Sequence, residues 1–299
     1  MQSILQSFLE YSLESAFISM VLPTRGRVSS LQRFLRSIMV QTHKPDQLEI
    51  IVVVDEDDHE SIEFKFPELR IAKKVVQPGQ TMGYLNQAGF EVSTGKYIML
   101  VNDDIVIQTE HWDRKLKAVL DKHKNNIVLA HVNDLLFQQE LCVFPMISRQ
   151  YCEIAGGICP VGFNRYRIDN HIFATFKMVT ALGCDSTIFF PFIIFKHLNN
   201  IMQSETPRYL IHQAIEAKDE VLFQKLHEER LNVAIEICRR NGIEPSDKAI
   251  LKLKRDRNAP YNTRWPSKVH LGRPRWQEFN LAMRAAIQSP PWSSKIARI

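Results

Sequence analysis

Between Leu48 and Val54 the chain reads Leu-Glu-Ile-Ile-Val-Val-Val, a β-branched and almost wholly apolar run. A strand without polar alternation is buried on both faces, as a central strand of a parallel sheet covered by helices is. This run constrains the fold more than any other segment, and its neighbours agree with it. Phe17 to Leu22 reads as a first apolar strand stopped by Pro23, and Ile71 to Val76 and Tyr97 to Val101 read as two more. Between them lie helical periods. One starts at a cap on Ser29 or Ser30 and runs to about Val40, with Leu31, Phe34, Leu35 and Ile38 on its apolar face. The other spans Met82 to Val92, with Leu85, Ala88 and Gly89 inward. Strand–helix alternation of this kind predicts an α/β fold with a mostly parallel central sheet, right-handed crossovers and helices on both faces.

Downstream, the pattern predicts a helix over Trp112–His123, a strand over Ile127–Val132 and a helix over Asp169–Leu182. A strand over Ile188–Ile194 contains Pro191, which assigns it to a sheet edge. Pro207 to Arg240 is strongly helical and stopped by Asn241-Gly242. Residues 2–17 place Ile4, Leu5, Phe8, Leu9, Leu13 and Phe17 on one stripe, a short helix packing on the main domain. From Pro260 onward five prolines and three tryptophans predict an extended tail interrupted by one helix, Trp276 to Gln288.

The 299 residues suffice for one large α/β domain, or a smaller one with an appendage. Five cysteines, odd in number and without a Cys-x-x-Cys pair, read as reduced cytosolic residues rather than a disulfide frame or zinc site. No apolar run is long enough to span a bilayer. The amino terminus, with Glu10 and Glu14 and no basic region, does not read as a signal peptide. The net charge of +5 is unevenly spread: Ile243 to Ile299 holds 12 Lys and Arg against 4 Asp and Glu. The basic balance therefore belongs to the tail, where it suits anionic lipid headgroups, nucleic acid or an acidic partner, or is simply a solvated helix and its flanks.

Three predicted strands end in chemistry. The first closes with Pro23-Thr24-Arg25-Gly26-Arg27, where backbone donors at a helix start and two guanidinium groups make a diphosphate site. The second closes with Asp55-Glu56-Asp57-Asp58, from which Asp55 or Asp57 can accept a hydrogen bond from a nucleobase N–H or a ribose hydroxyl. The fourth closes with Asn102-Asp103-Asp104, adjacent carboxylates that repel unless a cation or donors compensate. Parallel sheets bind ligands outside their carboxyl ends, so all three loops should face one crevice. Each loop also has a plain reading, as surface arginines in a turn or as a solvated acidic turn.

These residues, with Ser37-Ile38, Gln41-Thr42, Leu85-Asn86-Gln87-Ala88-Gly89 and Ser93-Thr94-Gly95-Lys96-Tyr97, resemble the family-2 glycosyltransferases of GT-A fold. The similarity covers residues 17–115 and continues more loosely to about 200. It implies a GT-A domain over 1–204, with a nucleotide-sugar half to about 115 and an acceptor half beyond; residues 205–299 match no family, and their pattern and charge predict a basic helical extension. It implies that Pro23, Thr24, Arg25 and Arg27 lie near the nucleotide, with Asp55 and Asp57 at its base. Asn86 and Asn102 join the same nucleotide-sugar site, and Asp103 approaches the ribose or sugar. Asp104 binds Mn2+ or Mg2+ bridging the diphosphate, and His197 completes that metal site. Asp169 stands where the family carries its catalytic base, though it could also cap the helix it precedes; Asp134 is the second candidate. Two positions depart from the family. Asn102 replaces the first acid of Asp-x-Asp, and Gly83-Tyr84-Leu85 lacks an arginine that Arg25 or Arg27 would replace.

The resemblance implies metal-dependent, inverting transfer of a sugar from a UDP- or GDP-linked donor to a hydroxyl of a glycan or lipid-linked saccharide. The setting it implies is polysaccharide biosynthesis in the cytoplasm or at the inner membrane face, with no nucleic acid as partner; the charge of the tail allows a peripheral membrane contact there, or the terminal helices cover the acceptor site or dimerise. Two other classes compete. A non-catalytic carbohydrate-binding or scaffold protein would use the same sheet with a degenerate acid motif, which Asn102 permits. A sugar nucleotidyltransferase needs a glycine-rich phosphate loop, and Pro-Thr-Arg-Gly-Arg has one glycine. The absence of Gly-x-Gly-x-x-Gly after the first strand disfavours a dehydrogenase.

Overall fold

The computed structural model describes residues 16–198 and 208–255, with side chains of the second stretch from residue 214. At its centre β1 (Ile18–Pro23) runs parallel to β2 (Leu48–Asp55) on one side and β4 (Tyr97–Leu100) on the other, Met20 lying opposite Ile50 and Met99. β3 (Ile71–Val76) extends this parallel half beyond β2. The other half is mixed. β7 (Met146–Ser148) is antiparallel to β4 and to β6 (Leu129–Asn133), and β8 (Thr187–His197) runs parallel to β6 and antiparallel to β5 (Ile105–Ile107). The strand order is β3-β2-β1-β4-β7-β6-β8-β5.

Alternation along the strands divides the core in two. Ile18, Met20, Leu22, Ile50, Val52 and Val54 pack with α1 (Val28–Gln41) and the buried Trp112 and Leu116 of α4 (Trp112–Leu120). Val21, Ile51, Val53 and Ile98 face α3 (Met82–Glu91), α5 (Arg149–Ala155), α6 (Ile168–Ala181) and α8 (His227–Arg240). Each such fully buried aliphatic side chain contributes about 1.5–3 kcal/mol, so a sheet covered on both sides is the stable arrangement for this sequence. α3 lies close on the sheet because residue 89 is glycine: a Cβ there would meet Val21 Cγ1 at 2.5 Å and Val53 Cγ2 at 2.9 Å. The short α2 (His59–Glu63) follows β2, and α7 (Arg208–Lys225) and α9 (Asp247–Arg255) flank α8.

Two expectations need correction, and a third is refined. α1 begins one residue after Arg27 without a side-chain cap; Ser29 and Ser30 already lie inside it, and Gly26 (φ 59°) makes the turn. β8 as a whole lies between β6 and β5, but β5 pairs only with Phe195–His197, so the stretch around Pro191 is paired by a strand on one side alone, as expected; Pro191 also sits in a bulge where pairing jumps from Val132–Phe190 to Asn133–Ile194. The long helix predicted to start at Pro207 is two helices broken at Leu226. There the buried Arg230 Nη1 donates to the Phe223 carbonyl at 2.7 Å and competes for the acceptor that a continuous helix would use. The expected helix over residues 2–17 falls on 1–15 except for its last two residues. Those residues, the tail from 256 onward with its helix over 276–288, and the boundary at 204/205 lie outside the described residues.

Candidate active site

The parallel register of β1, β2 and β4 brings their carboxyl ends side by side, and the loops that follow are tied to one another. The Thr24 hydroxyl donates to Asp103 Oδ2 at 2.6 Å, and Arg27 Nη2 lies 2.8 Å from Asp103 Oδ1. Asp103 is wholly buried. Burial pushes its carboxyl above the usual range and Asp104 adds to this; the Thr24 hydroxyl and the Arg27 charge only partly oppose them. Asp103 therefore clamps the β1 loop to the β4 loop, Oδ2 by the Thr24 hydrogen bond and Oδ1 by its ion pair with Arg27. Arg25 turns the other way: Nη1 lies 2.5 Å from both Asp55 Oδ2 and Asp57 Oδ1, and Nη2 lies 2.7 Å from Asp57 Oδ2. That hydrogen-bonded guanidinium holds Asp57 below the usual carboxylate range. Asp58, absent from the expected site, accepts from Gly26 N at 2.7 Å and caps α2 through Ser61 N at 3.3 Å. Asn86 is buried on α3, Pro23 is buried at the end of β1, and Asn102 is exposed.

Asp104 is the point where the two halves of the sheet meet. Its carbonyl accepts from Leu198 N at 2.8 Å, β5 begins at Ile105 opposite His197, and His197 Nε2 lies 3.4 Å from Asp104 Oδ1. Burial raises the Asp104 carboxyl, but His197 and Arg27 outweigh it and hold the group below the usual range. The alignment is poor for a hydrogen bond, so Asp104 Oδ1 and His197 Nδ1 are buried without hydrogen-bond partners among the described residues.

Residues 19–134 match the sequence profile of Glycosyl transferase family 2. Two solved structures share the fold. The mannosyltransferase PcManGT from Pyrobaculum calidifontis, in complex with GDP-Man and Mn2+, is 13% identical, with a TM-score of 0.50 over 84% of this chain and 83% of that one. S. aureus TarS 1–349 in complex with UDP is 13% identical, with a TM-score of 0.53 over 87% of this chain and 77% of that one. No match was found among curated proteins. Residues 19–134 thus carry the likeness to family-2 glycosyltransferases, and the fold is of GT-A type.

In this GT-A domain the remaining expected residues gather around His197. Its backbone N–H points to the Asp134 carbonyl at 3.4 Å, and its imidazole lowers the carboxyls of Asp104, Asp134 and Asp169. Asp169 is not a helix cap. The residue at that position is Arg167, in the left-handed region (φ 68°), and Asp169 lies in the first turn of α6, where its Oδ1 accepts from Asn170 N at 2.8 Å. Burial pushes its carboxyl up to about 6, against the Asn170 N–H, Arg167 and His197. Asp134 serves its own loop, which it folds by accepting at Oδ1 from Leu136, Phe137 and Gln138 N at 3.1, 2.9 and 2.8 Å. Burial nonetheless holds it above the usual range. No group of three or more His, Cys, Asp or Glu among the described residues can hold a metal ion. Asp104 and His197 supply two donors, an orphaned carboxylate oxygen and an imidazole. They fit a hard divalent cation whose shell is completed by phosphate oxygens and water, the sparse protein ligation that Mg2+ accepts.

Proposed function

We propose that this glycosyltransferase is metal-dependent and inverting, and that it moves a sugar from a UDP- or GDP-linked donor to a hydroxyl of a glycan or lipid-linked saccharide. One observation carries the reading: Asp104 and His197 meet where the β4 loop enters β5, with Arg27 of the β1 loop and Asp169 of α6 both within electrostatic reach of that pair. The GDP-Man and Mn2+ of the Pyrobaculum mannosyltransferase and the UDP of TarS support a nucleotide sugar and a cation as ligands. A cation bound at Asp104 and His197 would neutralise the departing diphosphate. The chain's own groups do the rest. Thr24, Arg25 and Arg27 border the nucleotide diphosphate, while Asp55 and Asp57 hold the base edge once Arg25 releases them; Pro23, Asn86, Asn102 and Asp103 complete the nucleotide-sugar wall. Asp169, or failing it Asp134, takes the proton from the acceptor hydroxyl as its oxygen bonds to the anomeric carbon. The anomeric carbon–oxygen bond to the diphosphate breaks on the opposite face, which inverts the centre. We place this chemistry in polysaccharide assembly on the cytoplasmic side, with the basic tail touching an anionic membrane. Among the described residues no helix is long and apolar enough to cross one.

The test is a thermal-shift panel of UDP-, GDP-, CMP- and dTDP-sugars with and without Mn2+. The matching donor at a hundredfold over its Kd adds about 2.7 kcal/mol to stability, and this gain should require Mn2+ and vanish in Asp104→Ala. A folded Asp104→Ala variant that transfers sugar at the native rate removes the metal site. A chain that binds nucleotide sugars but neither transfers nor hydrolyses them is a binding scaffold instead.

A further inference from the structure

Asp219 lies in α7 within Ala-Lys-Asp-Glu, a stretch that reads as solvated surface, yet it is wholly buried. Its Oδ1 accepts from the backbone N–H of Asn164 at 2.8 Å and from the Asn164 side-chain amide at 2.9 Å. Its Oδ2 accepts from the backbone N–H groups of Arg165 at 2.9 Å and Tyr166 at 2.8 Å. Four N–H donors on one carboxylate are charge-assisted bonds of the strong kind, and they fix three successive residues at once. Beside it on α7, Glu220 Oε2 lies 2.8 Å from Arg167 Nε, with Glu216 Oε1 3.7 Å from its Nη2. Arg167 is the left-handed residue that starts α6, and Asp169 follows two positions later.

The same loop is held from its other side. Met82 N donates to Asn164 O at 3.0 Å and Gly83 N to Phe163 O at 2.9 Å, so the loop caps the first turn of α3. Any Cβ at residue 83 would collide with the Pro160 carbonyl, which is why glycine stands there. Residues 160–167 are thus pinned between α3, which connects β3 to β4, and α7.

We propose that Asp219 is a positioning residue for transfer: by fixing residues 164–167 it aims the Asp169 carboxylate at the acceptor oxygen, and α7 belongs to the catalytic machinery rather than to an appendage. This rests on the reading of Asp169 as the base. Buried between α7 and the 164–167 loop with both oxygens engaged, this acid has no role with substrate itself, whereas loosening the loop displaces Asp169, two residues beyond it. A displacement of about 1 Å at a reacting group costs up to about 100-fold in rate.

The experiment uses the full chain with Mn2+ and whichever of UDP-GlcNAc or GDP-mannose it hydrolyses, comparing native protein with Asp219→Asn, Asp219→Glu, Asp169→Asn and the Asp219→Asn/Asp169→Asn double variant. Asp219→Asn should lower kcat about 10- to 100-fold with the donor KM within about twofold. Amide hydrogen exchange should accelerate at Arg165 and Tyr166. The double variant should be no slower than Asp169→Asn alone, because both changes disable one group. If Asp219→Asn does not fold, Asp219→Glu keeps the charge but shifts the loop by a methylene, and the same split is expected. Native kcat with fast loop exchange overturns the proposal and leaves Asp169 as the base. An equal further loss on top of Asp169→Asn overturns it too, since the loop then serves another group. Native kcat in Asp169→Asn strikes the base assignment itself, a separate failure.

Discussion

Arg27→Met isolates the clamp between the β1 and β4 loops. Asp103 is wholly buried, and its carboxylate is compensated by the Thr24 hydroxyl at 2.6 Å and Arg27 at 2.8 Å. An ion pair with one buried and one half-exposed partner (Arg27 is 52% exposed) falls between the about 0.2–1 kcal/mol of surface pairs and the about 3–5 kcal/mol lost when one partner of a buried pair is removed, so the expected loss is about 1–2 kcal/mol. For a chain of this size that is a fall in Tm of about 2–4 °C per kcal/mol. The loss should depend on pH with a definite sign. Asp103 already binds its proton more tightly when folded than when unfolded, burial being the main cause. Stability therefore decreases with pH above the unfolded carboxylate pKa, until the folded group has ionised. Removing Arg27 raises the folded pKa further, so the variant should match the native chain in acid, where Asp103 is protonated, and fall behind as pH rises. Asp103→Asn should abolish the dependence, and Arg27→Met in that background should cost little. Urea unfolding across pH 4 to 8 in EDTA, run as this double-mutant cycle, measures it. An equal loss at both ends of the range, or no coupling between the two positions, would falsify the clamp.

Two further predictions follow from named groups. Because burial raises Asp169 to about 6, a base at this position must ionise before it works, so kcat should climb as pH rises through about 6 and level off above. The same raised value makes folding most favourable below the ordinary carboxylate range and weaker as pH rises through about 6, and Asp169→Asn should flatten both profiles; a native pH–rate curve in that variant moves the base elsewhere. Gly89→Ala forces a methyl into Val21 and Val53, so it should destabilise by about 1–3 kcal/mol without altering nucleotide affinity, and a neutral or stabilising result by chemical denaturation contradicts the close approach of α3 to β1 and β2.

The half of the fold that precedes residue 115 was legible because its strands are buried on both faces, so hydrophobicity alone marks them and their tips. Leu48–Val54, Ile71–Val76 and Tyr97–Val101 all became strands in the parallel half, with boundaries within about a residue, as uninterrupted apolar runs allow. The acids at their ends were legible as a site because parallel topology leaves them nowhere else to go. What each acid touches was not. Arg25 pairs with Asp55 and Asp57 across two strand ends, which only spatial adjacency determines, and Asp134 uses its carboxylate on its own loop.

Asp219 shows where sequence reasoning of this kind runs out. Periodicity detects a buried residue when burial is apolar, because water exclusion then acts on the side chain alone. A carboxylate buried against backbone N–H groups more than fifty residues away has no local signature, since its compensation is made entirely by the tertiary fold. A sequence resemblance confined to the front half shares the limit, matching residues 19–134 and stopping before the loop that Asp219 holds. Asp104 with His197 repeats the pattern: the β5–β8 pairing that joins them links two regions about ninety residues apart. In both cases an earlier segment supplies a group at a strand or helix end, and a later segment supplies the partner that fixes its direction. The geometry of this candidate site is therefore fixed in part by segments beyond the matched residues 19–134.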